Sequence, residues 1–224
     1  RNEIPKVALV GYTNAGKSSL MNYMIDRFVK DEDKKVLEED MLFATLETSV
    51  RKIELEDNRK FLLSDTVGLI SELPHDLVKA FRSTLEEIKN ADLLLQVVDY
   101  SDPDFYNQMQ VTKETLEKIG ASDIPVIYVY NKSELMLDKL PLVDENEIYL
   151  SIKEGKGMDE LLDMVIDKIF SSYKRCKMLI PFSDGSVVSY LNEHATVMET
   201  DYNEQGTILT VECRPAQYEK YKEY

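Results

Sequence analysis

The fold is decided by the stretch Gly11-Tyr12-Thr13-Asn14-Ala15-Gly16-Lys17-Ser18, which matches the pattern G-x-x-x-x-G-K-S/T. Before it, residues 7–10 form a short, wholly apolar run that is typical of a strand buried on both faces. After it, apolar residues recur at helical spacing, at Leu20, Met21, Met24, Ile25 and Phe28. This setting predicts a phosphate-binding loop, because backbone N–H groups and the start of the helix converge on phosphate oxygens.

Two residues of this loop are candidates for chemistry as well as binding. Lys17 offers a mobile cation to the β- and γ-phosphates and is a candidate catalytic residue, while the Ser18 hydroxyl is a candidate ligand of Mg²⁺. The predicted nucleotide-binding residues of the loop and the first helical turn are Gly11, Tyr12, Thr13, Asn14, Ala15, Gly16, Lys17, Ser18 and Ser19.

A second motif, Asp65-Thr66-Val67-Gly68, directly follows the apolar run at residues 61–63. A carboxylate at the end of a strand can hold a magnesium-bound water, and a glycine can bring its N–H close to the γ-phosphate. Thr45 can offer its hydroxyl to Mg²⁺ and its N–H to the γ-phosphate, or it can be an ordinary strand threonine. Thr45 and Asp65 are predicted metal ligands, and Thr45 and Gly68 are candidate catalytic residues. The predicted nucleotide-binding residues of the two segments are Phe43, Ala44, Thr45, Leu46, Glu47, Asp65, Thr66, Val67 and Gly68.

The third motif, Asn131-Lys132-Ser133-Glu134, follows another apolar run and predicts a guanine site. Its carboxylate can accept hydrogen bonds from N1–H and the exocyclic amine of the base. The segment Ser151-Ile152-Lys153 ends the next strand, and its backbone is expected to contact the guanine O6. Glu134 stands where GTPases usually carry aspartate, so we expect guanine preference to be retained at weaker affinity.

The residue after Gly68 bears on the rate of hydrolysis. Many GTPases carry a glutamine there that orients the attacking water, whereas Leu69 cannot hydrogen-bond to water. The sequence therefore predicts that GTP is hydrolysed to GDP slowly in isolation and faster with a partner or an ion. Asn14 occupies the position at which several GTPases bind potassium beside the phosphates, or else it stabilises the loop, and both interpretations stay open.

Strands alternate with helices over residues 5–172, a pattern that predicts an α/β fold. We expect a P-loop NTPase three-layer sandwich with a mostly parallel sheet. The segments 49–55 and 60–64 bracket a polar turn, which predicts a hairpin and hence one antiparallel edge strand.

Two boundaries follow from composition and capping residues. Asp102 and Pro103 are expected to open a helix that Gly120 closes. We assign residues 1–175 to the P-loop GTPase domain and residues 176–224 to a small α+β C-terminal domain.

The net charge of −15 argues against strong binding of nucleic acid by this chain alone, because phosphate contacts require clustered Lys and Arg. No apolar run approaches the ~20 residues that cross a bilayer, and the chain begins without the pattern of a signal peptide, so we expect a cytoplasmic monomer. Cys176 and Cys213 form no C-x-x-C unit, and His75 and His194 stand in no ligand-spaced cluster.

The motifs together resemble the HflX family of translation-factor-related GTPases. The segments that carry the resemblance are the P-loop, Phe43-Ala44-Thr45-Leu46, Asp65-Thr66-Val67-Gly68-Leu69-Ile70, Leu73-Pro74-His75-Asp76-Leu77-Val78-Lys79-Ala80-Phe81-Arg82-Ser83-Thr84-Leu85-Glu86-Glu87 and Ala91-Asp92-Leu93-Leu94-Leu95. The resemblance covers the GTPase domain and, more loosely, the C-terminal residues. Glu134, Ile152 and the long acidic stretch before Phe43 depart from the family pattern.

The resemblance implies a GTPase that acts with the large ribosomal subunit, which stimulates hydrolysis, and that splits stalled or idle ribosomes under stress. It also implies an N-terminal domain and a helical linker ahead of the GTPase domain. We therefore expect this chain to be part of a longer protein.

Two other functions stay open at the level of sequence. The chain can be a GTP/GDP-sensing interaction module with vestigial hydrolysis, an interpretation that Leu69 supports. It can also be a P-loop ATPase or small-molecule kinase, against which Asn131 and Lys132 argue.

Overall fold

The structure, a computed structural model, describes residues 4–12, 14–29, 49–66 and 82–224. The strands over these residues are β1 (Lys6–Val10), β2 (Ser49–Glu54), β3 (Lys60–Asp65), β4 (Leu93–Asp99), β5 (Val126–Asn131), β6 (Leu142–Val143), β7 (Glu147–Tyr149), β8 (Lys174–Pro181), β9 (Thr196–Tyr202) and β10 (Gly206–Cys213). The α-helices are α1 (Lys17–Phe28), α2 (Arg82–Lys89), α3 (Phe105–Lys118), α4 (Met158–Ile169), α5 (Gly185–His194) and α6 (Pro215–Tyr221).

The larger sheet has seven strands in the order β2-β3-β1-β4-β5-β7-β6. Strand β1 pairs in parallel with β3 and β4, and β5 pairs in parallel with β4 and β7. The prediction of a mostly parallel sheet is confirmed. The structure adds a second antiparallel edge strand, since β6 pairs antiparallel with β7. Sequence reasoning missed β6 because it is only two residues long and both are exposed, so it shows no hydrophobic periodicity.

Helices cover both faces of this sheet. On one face, Ala8 and Leu94 of neighbouring strands pack with Ile88 of α2 and Leu116 of α3. Because successive side chains of a strand point to opposite faces, the buried residues between them belong to the other face. Helices α1 and α4, which an ion pair joins, supply further buried apolar residues for that face. This is the predicted three-layer arrangement.

Helix α3 begins later than its sequence signals indicate. Asp102 and Pro103 were expected to open it, but the first helical residue is Phe105 and the N-cap is Asp104. The Asp102 carboxylate instead accepts a hydrogen bond from the Asp104 N–H at 2.9 Å, which closes a turn before the helix. At the other end Gly120 lies just beyond the helix with a φ of +78°.

A second compact unit consists of residues 169–224 together with residues 54–60. Its sheet has the order β8-β10-β9 and is antiparallel throughout. Apolar side chains of β8 and β10 form a core with Leu191 of α5 and Tyr221 of α6. The sequence analysis did not predict α6, which begins at Pro215 and where the Arg214 N–H donates to Oε1 of Gln217 at 3.1 Å. The domain boundary after residue 175 stays a prediction.

The turn between β2 and β3 makes specific contacts within this second unit. Arg59 pairs with Asp57 at 2.8 Å and with the buried Glu212 at 3.7 Å, and its guanidinium lies 5.3 Å from the ring centre of Phe170. The Asn58 side-chain amide donates to the Val197 carbonyl at 3.0 Å. Charge and hydrogen bonds therefore help to hold the turn in place.

Cys176 and Cys213 are free thiols on neighbouring strands of the small sheet. Burial raises the pKa of both, that of Cys213 to about 11.

In the described part of the chain, no helix combines the length and the apolar composition needed to cross a bilayer.

Candidate nucleotide-binding cleft

A cleft of about 1080 Å³ opens where β1, β3 and β5 end and their loops meet. In parallel α/β sheets this edge is the usual place for a ligand, since the loops after several strands converge there. Its lining residues are Asn14, Gly16, Lys17, Ser18, Ser19, Asn22, Tyr23, Asp26, Asp65, Asn131, Lys132, Glu134, Leu135, Ile152 and Lys153.

The loop between β1 and α1 needs its two glycines for space as well as for conformation. Gly11 has a φ of +140°, and a Cβ there would lie 2.3 Å from the Val97 carbonyl oxygen. Gly16 has a φ of +115°, and a Cβ there would lie 2.2 Å from Nδ2 of Asn131. Asn14 has a φ of 70°, a conformation that asparagine adopts more readily than most residues. The loop thus turns tightly enough to direct the start of α1 into the cleft.

Lys17 and Asp65 lie at the end of the cleft beside this loop. Both are buried, and the Lys17 ammonium donates to the Thr66 carbonyl at 3.4 Å. Burial lowers the pKa of Lys17, opposed by the charge of Asp65, and burial raises the pKa of Asp65, opposed by the charge of Lys17. Each of the two charges thus offsets part of the burial cost of the other at this end of the cleft.

The residues at this end fit a magnesium ion. Among the described residues, Oδ1 of Asp65 is buried and has no hydrogen-bond partner, and the exposed hydroxyl-bearing Ser18 lines the same cleft. The described residues contain no group of three or more His, Cys, Asp or Glu side chains that could hold a metal alone. Such a sparse protein ligand set suits Mg²⁺, which keeps waters and phosphate oxygens in its coordination shell.

Asn131 ties together three loops of the cleft. It is buried, its Nδ2 donates to the Ala15 carbonyl at 3.0 Å, and its Oδ1 accepts from the Ile152 N–H at 3.1 Å. The Ile152 N–H is thereby used inside the protein, so a contact from it to guanine O6 would be shared with Asn131. Asn131 therefore sets the position of the phosphate loop and of the 151–153 turn relative to each other.

Lys132 and Glu134 follow Asn131 and face the cleft. Lys132 has a left-handed φ of 60° and begins the short 3₁₀ helix Ser133–Leu135. Its ammonium donates to the Asn14 carbonyl at 2.9 Å and to Asp99 at 3.0 Å. Buried Ser133 anchors the turn by donating to the Tyr130 carbonyl at 2.8 Å. Within the described ranges, the buried Oε2 of Glu134 has no hydrogen-bond partner.

The Oε2 atom of Glu134 indicates a ligand, because burying a carboxylate oxygen costs free energy unless a hydrogen-bond donor reaches it. Glu134 is therefore the residue whose chemistry most directly calls for a donor-rich ligand such as guanine.

Other predicted residues have supporting positions. Ser151 is buried and its hydroxyl accepts from the Glu154 N–H at 3.1 Å. Thr66 is buried and its hydroxyl donates to the Leu9 carbonyl. Tyr12 packs against the apolar core beside α3. The lining residues do not include Gly11, Tyr12, Ala15, Thr66, Ser133 or Ser151.

Several predicted residues lie outside the described residues, namely Thr13, Phe43, Ala44, Thr45, Leu46, Glu47, Val67 and Gly68, as does Leu69. Their roles stay predictions. Conversely, sequence reasoning missed Asn22, Tyr23, Asp26 and Leu135, which line the cleft, and Asp99, which binds Lys132. One feature of the sequence pointed to Asp99: it is the charged residue that ends β4, directly after the apolar pair at residues 97–98.

Comparison with known proteins places this cleft in context. The model of a family described as "50S ribosome-binding GTPase" matches residues 6–132, more than half of the chain. It therefore includes the phosphate loop and reaches Lys132.

The curated relatives match almost the whole chain. Proteins named "GTPase HflX" are 42% identical over 95% of this chain in Caldanaerobacter subterraneus subsp. tengcongensis, 40% over 100% in Akkermansia muciniphila and 34% over 92% in Escherichia coli. The chain covers 48%, 52% and 48% of these relatives, so it spans about half of their length.

Solved structures agree on the fold. A GTP-binding protein from Sulfolobus solfataricus in complex with GDP is 26% identical, with a TM-score of 0.54 over 75% of this chain and 53% of that one. Era from Aquifex aeolicus, at 20% identity and a TM-score of 0.55 over 75% of this chain and 57% of that one, supports the fold alone. Given the family model and the relatives, the chain belongs to this GTPase family and, within it, to the HflX GTPases.

Proposed function

We propose that the chain binds GTP with Mg²⁺ and hydrolyses it to GDP, as a switch that acts with the large ribosomal subunit. The observation that carries the proposal is a cleft lined both by the buried charges of Lys17 and Asp65 and by Glu134, whose buried Oε2 has no hydrogen-bond partner among the described residues. A nucleotide likewise combines charged phosphates with a base that donates hydrogen bonds.

The phosphate part of the site would act by charge and position. The Lys17 ammonium, already desolvated, would bind the β- and γ-phosphates, and N–H groups at the start of α1 would add donors. Ser18 and Asp65 would hold Mg²⁺, which neutralises phosphate charge as the reaction proceeds. Thr45 and Gly68 are proposed to contact the γ-phosphate, which would hold the two segments that contain them until hydrolysis releases it.

The base part of the site would select guanine by hydrogen bonding. Glu134 would accept from N1–H and the exocyclic amine, and the 151–153 turn would contact O6 through its backbone. A site whose carboxylate must be satisfied by two donors discriminates strongly against a base that lacks them. The relative from Sulfolobus solfataricus was solved with GDP, which supports a guanine nucleotide for this chain too.

Calorimetric titration with GDP and with ADP, both with Mg²⁺, tests nucleotide binding. We expect GDP to bind and ADP not to bind measurably. Equal affinity for the two would contradict the role of Glu134, and would favour a P-loop ATPase instead.

The ribosomal role rests on the description of the matching family, "50S ribosome-binding GTPase". Leu69, in place of a water-orienting glutamine, leads us to propose that hydrolysis is slow until large ribosomal subunits accelerate it, and such action would take place in the cytoplasm. Steady-state hydrolysis with and without large subunits, using the full-length protein, measures this. A rate that subunits do not change would remove the ribosomal part of the proposal.

The second candidate function is a GTP/GDP-sensing interaction module with vestigial hydrolysis, which Leu69 also favours. Single-turnover hydrolysis in potassium and in sodium separates the two functions. Turnover that rises in potassium would support a switch that uses Asn14 near a monovalent cation. A rate that stays at background in both salts and also with large ribosomal subunits, while GTP binding is intact, would support the sensing module.

A further inference from the structure

Asp99 lies outside the three nucleotide motifs and contacts one of them through a charged side chain. It ends β4 and is paired in register with Asn131, the last residue of β5. Its Oδ2 lies 3.0 Å from the Lys132 ammonium, and its side chain is only 18% exposed. No residue of the three nucleotide motifs is a sequence neighbour of Asp99, so this contact exists only in the folded chain.

The Asp99 carboxylate is itself fixed. Its Oδ1 accepts from the Ser101 N–H at 3.0 Å and from the Ser101 hydroxyl at 2.6 Å. Burial alone would raise the pKa of Asp99, but the hydrogen bonds from Ser101 and Lys132 lower it below its usual value. Asp99 is therefore a charged and oriented acceptor at neutral pH.

Lys132 in turn sets the direction of the base-binding turn. Its left-handed φ of 60° is unfavourable for a residue with a Cβ and needs support from its surroundings. The support comes from the ammonium, which Asp99 and the Asn14 carbonyl hold from two sides. Glu134 lies two residues further on, in the 3₁₀ helix that Lys132 begins.

We infer that Asp99 is a positioning residue for guanine recognition, which acts through Lys132 to aim the Glu134 carboxylate at the base. The inference deepens the proposed function and rests on it. Asp99 is not among the residues that line the cleft. Its effect on the base is separated from any effect on the phosphate loop, which Lys132 also contacts through Asn14, by comparing two nucleotides that differ only in the base.

The pair GDP and IDP isolates this effect, since hypoxanthine keeps N1–H but lacks the exocyclic amine of guanine. Both oxygens of Glu134 must be correctly aimed to accept two hydrogen bonds, whereas one bond tolerates a small rotation. We expect the chain to bind GDP about tenfold or more tightly than IDP, the range for a hydrogen bond to a charged group. In the Asp99→Asn variant we expect that preference to fall to about twofold, mostly through weaker GDP binding.

Asp57→Asn is the matched control, because it makes the same change in an aspartate that also pairs with a cation, Arg59, in the turn between β2 and β3. It should leave the GDP to IDP ratio unchanged. Ser101→Ala removes one anchor of Asp99 while keeping the charge, and should lower the ratio to an intermediate value. It also supplies the test if Asp99→Asn does not fold.

Calorimetry on the 224-residue chain and its variants, each with a thermal melt to establish folding, gives the result. A wild-type chain that does not prefer GDP over IDP would overturn the proposed guanine site itself. A wild-type chain that prefers GDP, with an unchanged ratio in folded Asp99→Asn or Ser101→Ala, would overturn only the positioning role. In the Lys132→Met background, Asp99→Asn should have no further effect, and an added loss there would show that Asp99 acts by another route.

Discussion

At the scale of single residues, Glu134 determines which base the cleft accepts. Its buried carboxylate oxygen requires a hydrogen-bond donor from the base. Replacing Glu134 by glutamine puts an amide that can donate where one of the two accepting oxygens was. We predict that Glu134→Gln weakens GDP binding by about 10- to 150-fold, the value of a hydrogen bond to a charged group. The same variant should bind XDP more tightly than wild type, because the amide can donate to the C2 carbonyl of xanthine. Competition titrations with GDP and XDP measure both changes. Equal losses of affinity for GDP and XDP would contradict the assignment of Glu134 to base recognition.

Asp65 shows the opposing demands of stability and function at one residue. Burial raises the pKa of Asp65 in the folded chain above its unfolded value of about 3.8. The protonated carboxyl therefore favours the folded state fully below a pH of about 3.8, and this stability is lost as the pH rises through the higher folded pKa. At neutral pH the ionised carboxylate is therefore a cost to the nucleotide-free chain. We predict that Asp65→Asn raises the Tm at neutral pH by about 2–4 °C, the shift for about 1 kcal/mol in a chain of this size.

That gain in Tm should shrink as the pH falls, because the wild-type carboxyl then becomes neutral as well. The same variant should lose the strengthening of GDP binding that Mg²⁺ gives to wild type. Asp159→Asn, an exposed carboxylate on α4, is the control and should change neither property. A lower Tm in Asp65→Asn with an intact magnesium effect would contradict both the burial argument and the metal role.

The motif residues themselves could be read from sequence, whereas their supports could not. Asn131, Lys132 and Glu134 follow a buried strand at fixed spacing, which a linear pattern records. The contact of Asp99 with Lys132 joins residues 33 apart in the chain and depends on the pairing of β4 with β5 and on the left-handed backbone of Lys132. A contact between residues so far apart in the chain leaves no motif in the sequence. The motif residues of the cleft could therefore be predicted, whereas the contact of Asp99 with Lys132 could not.

At the scale of elements, the loop between β1 and α1 depends on space that only glycine leaves. Gly16→Ala would place a methyl group 2.2 Å from Nδ2 of Asn131 and would force apart the loops that Asn131 joins. We predict the loss of measurable GDP binding and destabilisation by about 3 kcal/mol or more, from clash and backbone strain together. Gly120→Ala is the control, since its φ of +78° is also left-handed but no atom lies within 4 Å of its added Cβ.

The control should lose only about 1 kcal/mol, the strain of a left-handed alanine, and should keep its affinity for GDP. Urea denaturation and GDP calorimetry on both variants make the comparison. Similar affinity losses in the two glycine variants would mean that backbone strain, rather than the space beside Asn131, governs the loop.

The turn between β2 and β3 gives a second prediction for an element. Arg59→Met would leave the buried Glu212 with Arg175 as its remaining cationic partner among the described residues. We predict a loss of about 1–3 kcal/mol in the free energy of unfolding, because the buried Glu212 loses one of its two cationic partners and keeps only the half-exposed Arg175. Lys60→Met, which removes an exposed pair with Glu54 at 3.9 Å, should cost less than about 0.5 kcal/mol. Equal effects in urea denaturation would show that Arg59 contributes through exposed charge alone.

Element boundaries show where periodicity stops being informative. The buried strand β1 and helix α1 follow clear apolar patterns, at residues 7–10 and from Leu20 to Phe28, and both elements were predicted there. The first turn of α3 was misplaced because two aspartates, Asp102 and Asp104, both suit an N-cap and only the local turn decides between them. Helix α6 is seven residues long and follows β10 directly, which leaves too few residues for an amphipathic repeat.

At the scale of the whole molecule, the dominant property is charge. The chain carries 42 acidic and 27 basic residues, a net charge of −15, so its folded state is opposed by self-repulsion that salt screens. We predict that the Tm of the nucleotide-free chain rises with ionic strength, and by the same amount in sodium chloride and potassium chloride, because screening does not distinguish the two cations. A parallel melt of Asn14→Ala should give the same curves.

This result would calibrate the monovalent-cation experiment on hydrolysis. Since general screening acts equally in both salts, a hydrolysis rate that is higher in potassium than in sodium requires a site that selects the larger cation. If Asn14 forms part of that site, Asn14→Ala should remove the difference in rate while its Tm still rises with either salt. A Tm that rises more in potassium than in sodium would instead place a selective cation site in the nucleotide-free fold, away from the phosphates, and would break the link between Asn14 and hydrolysis.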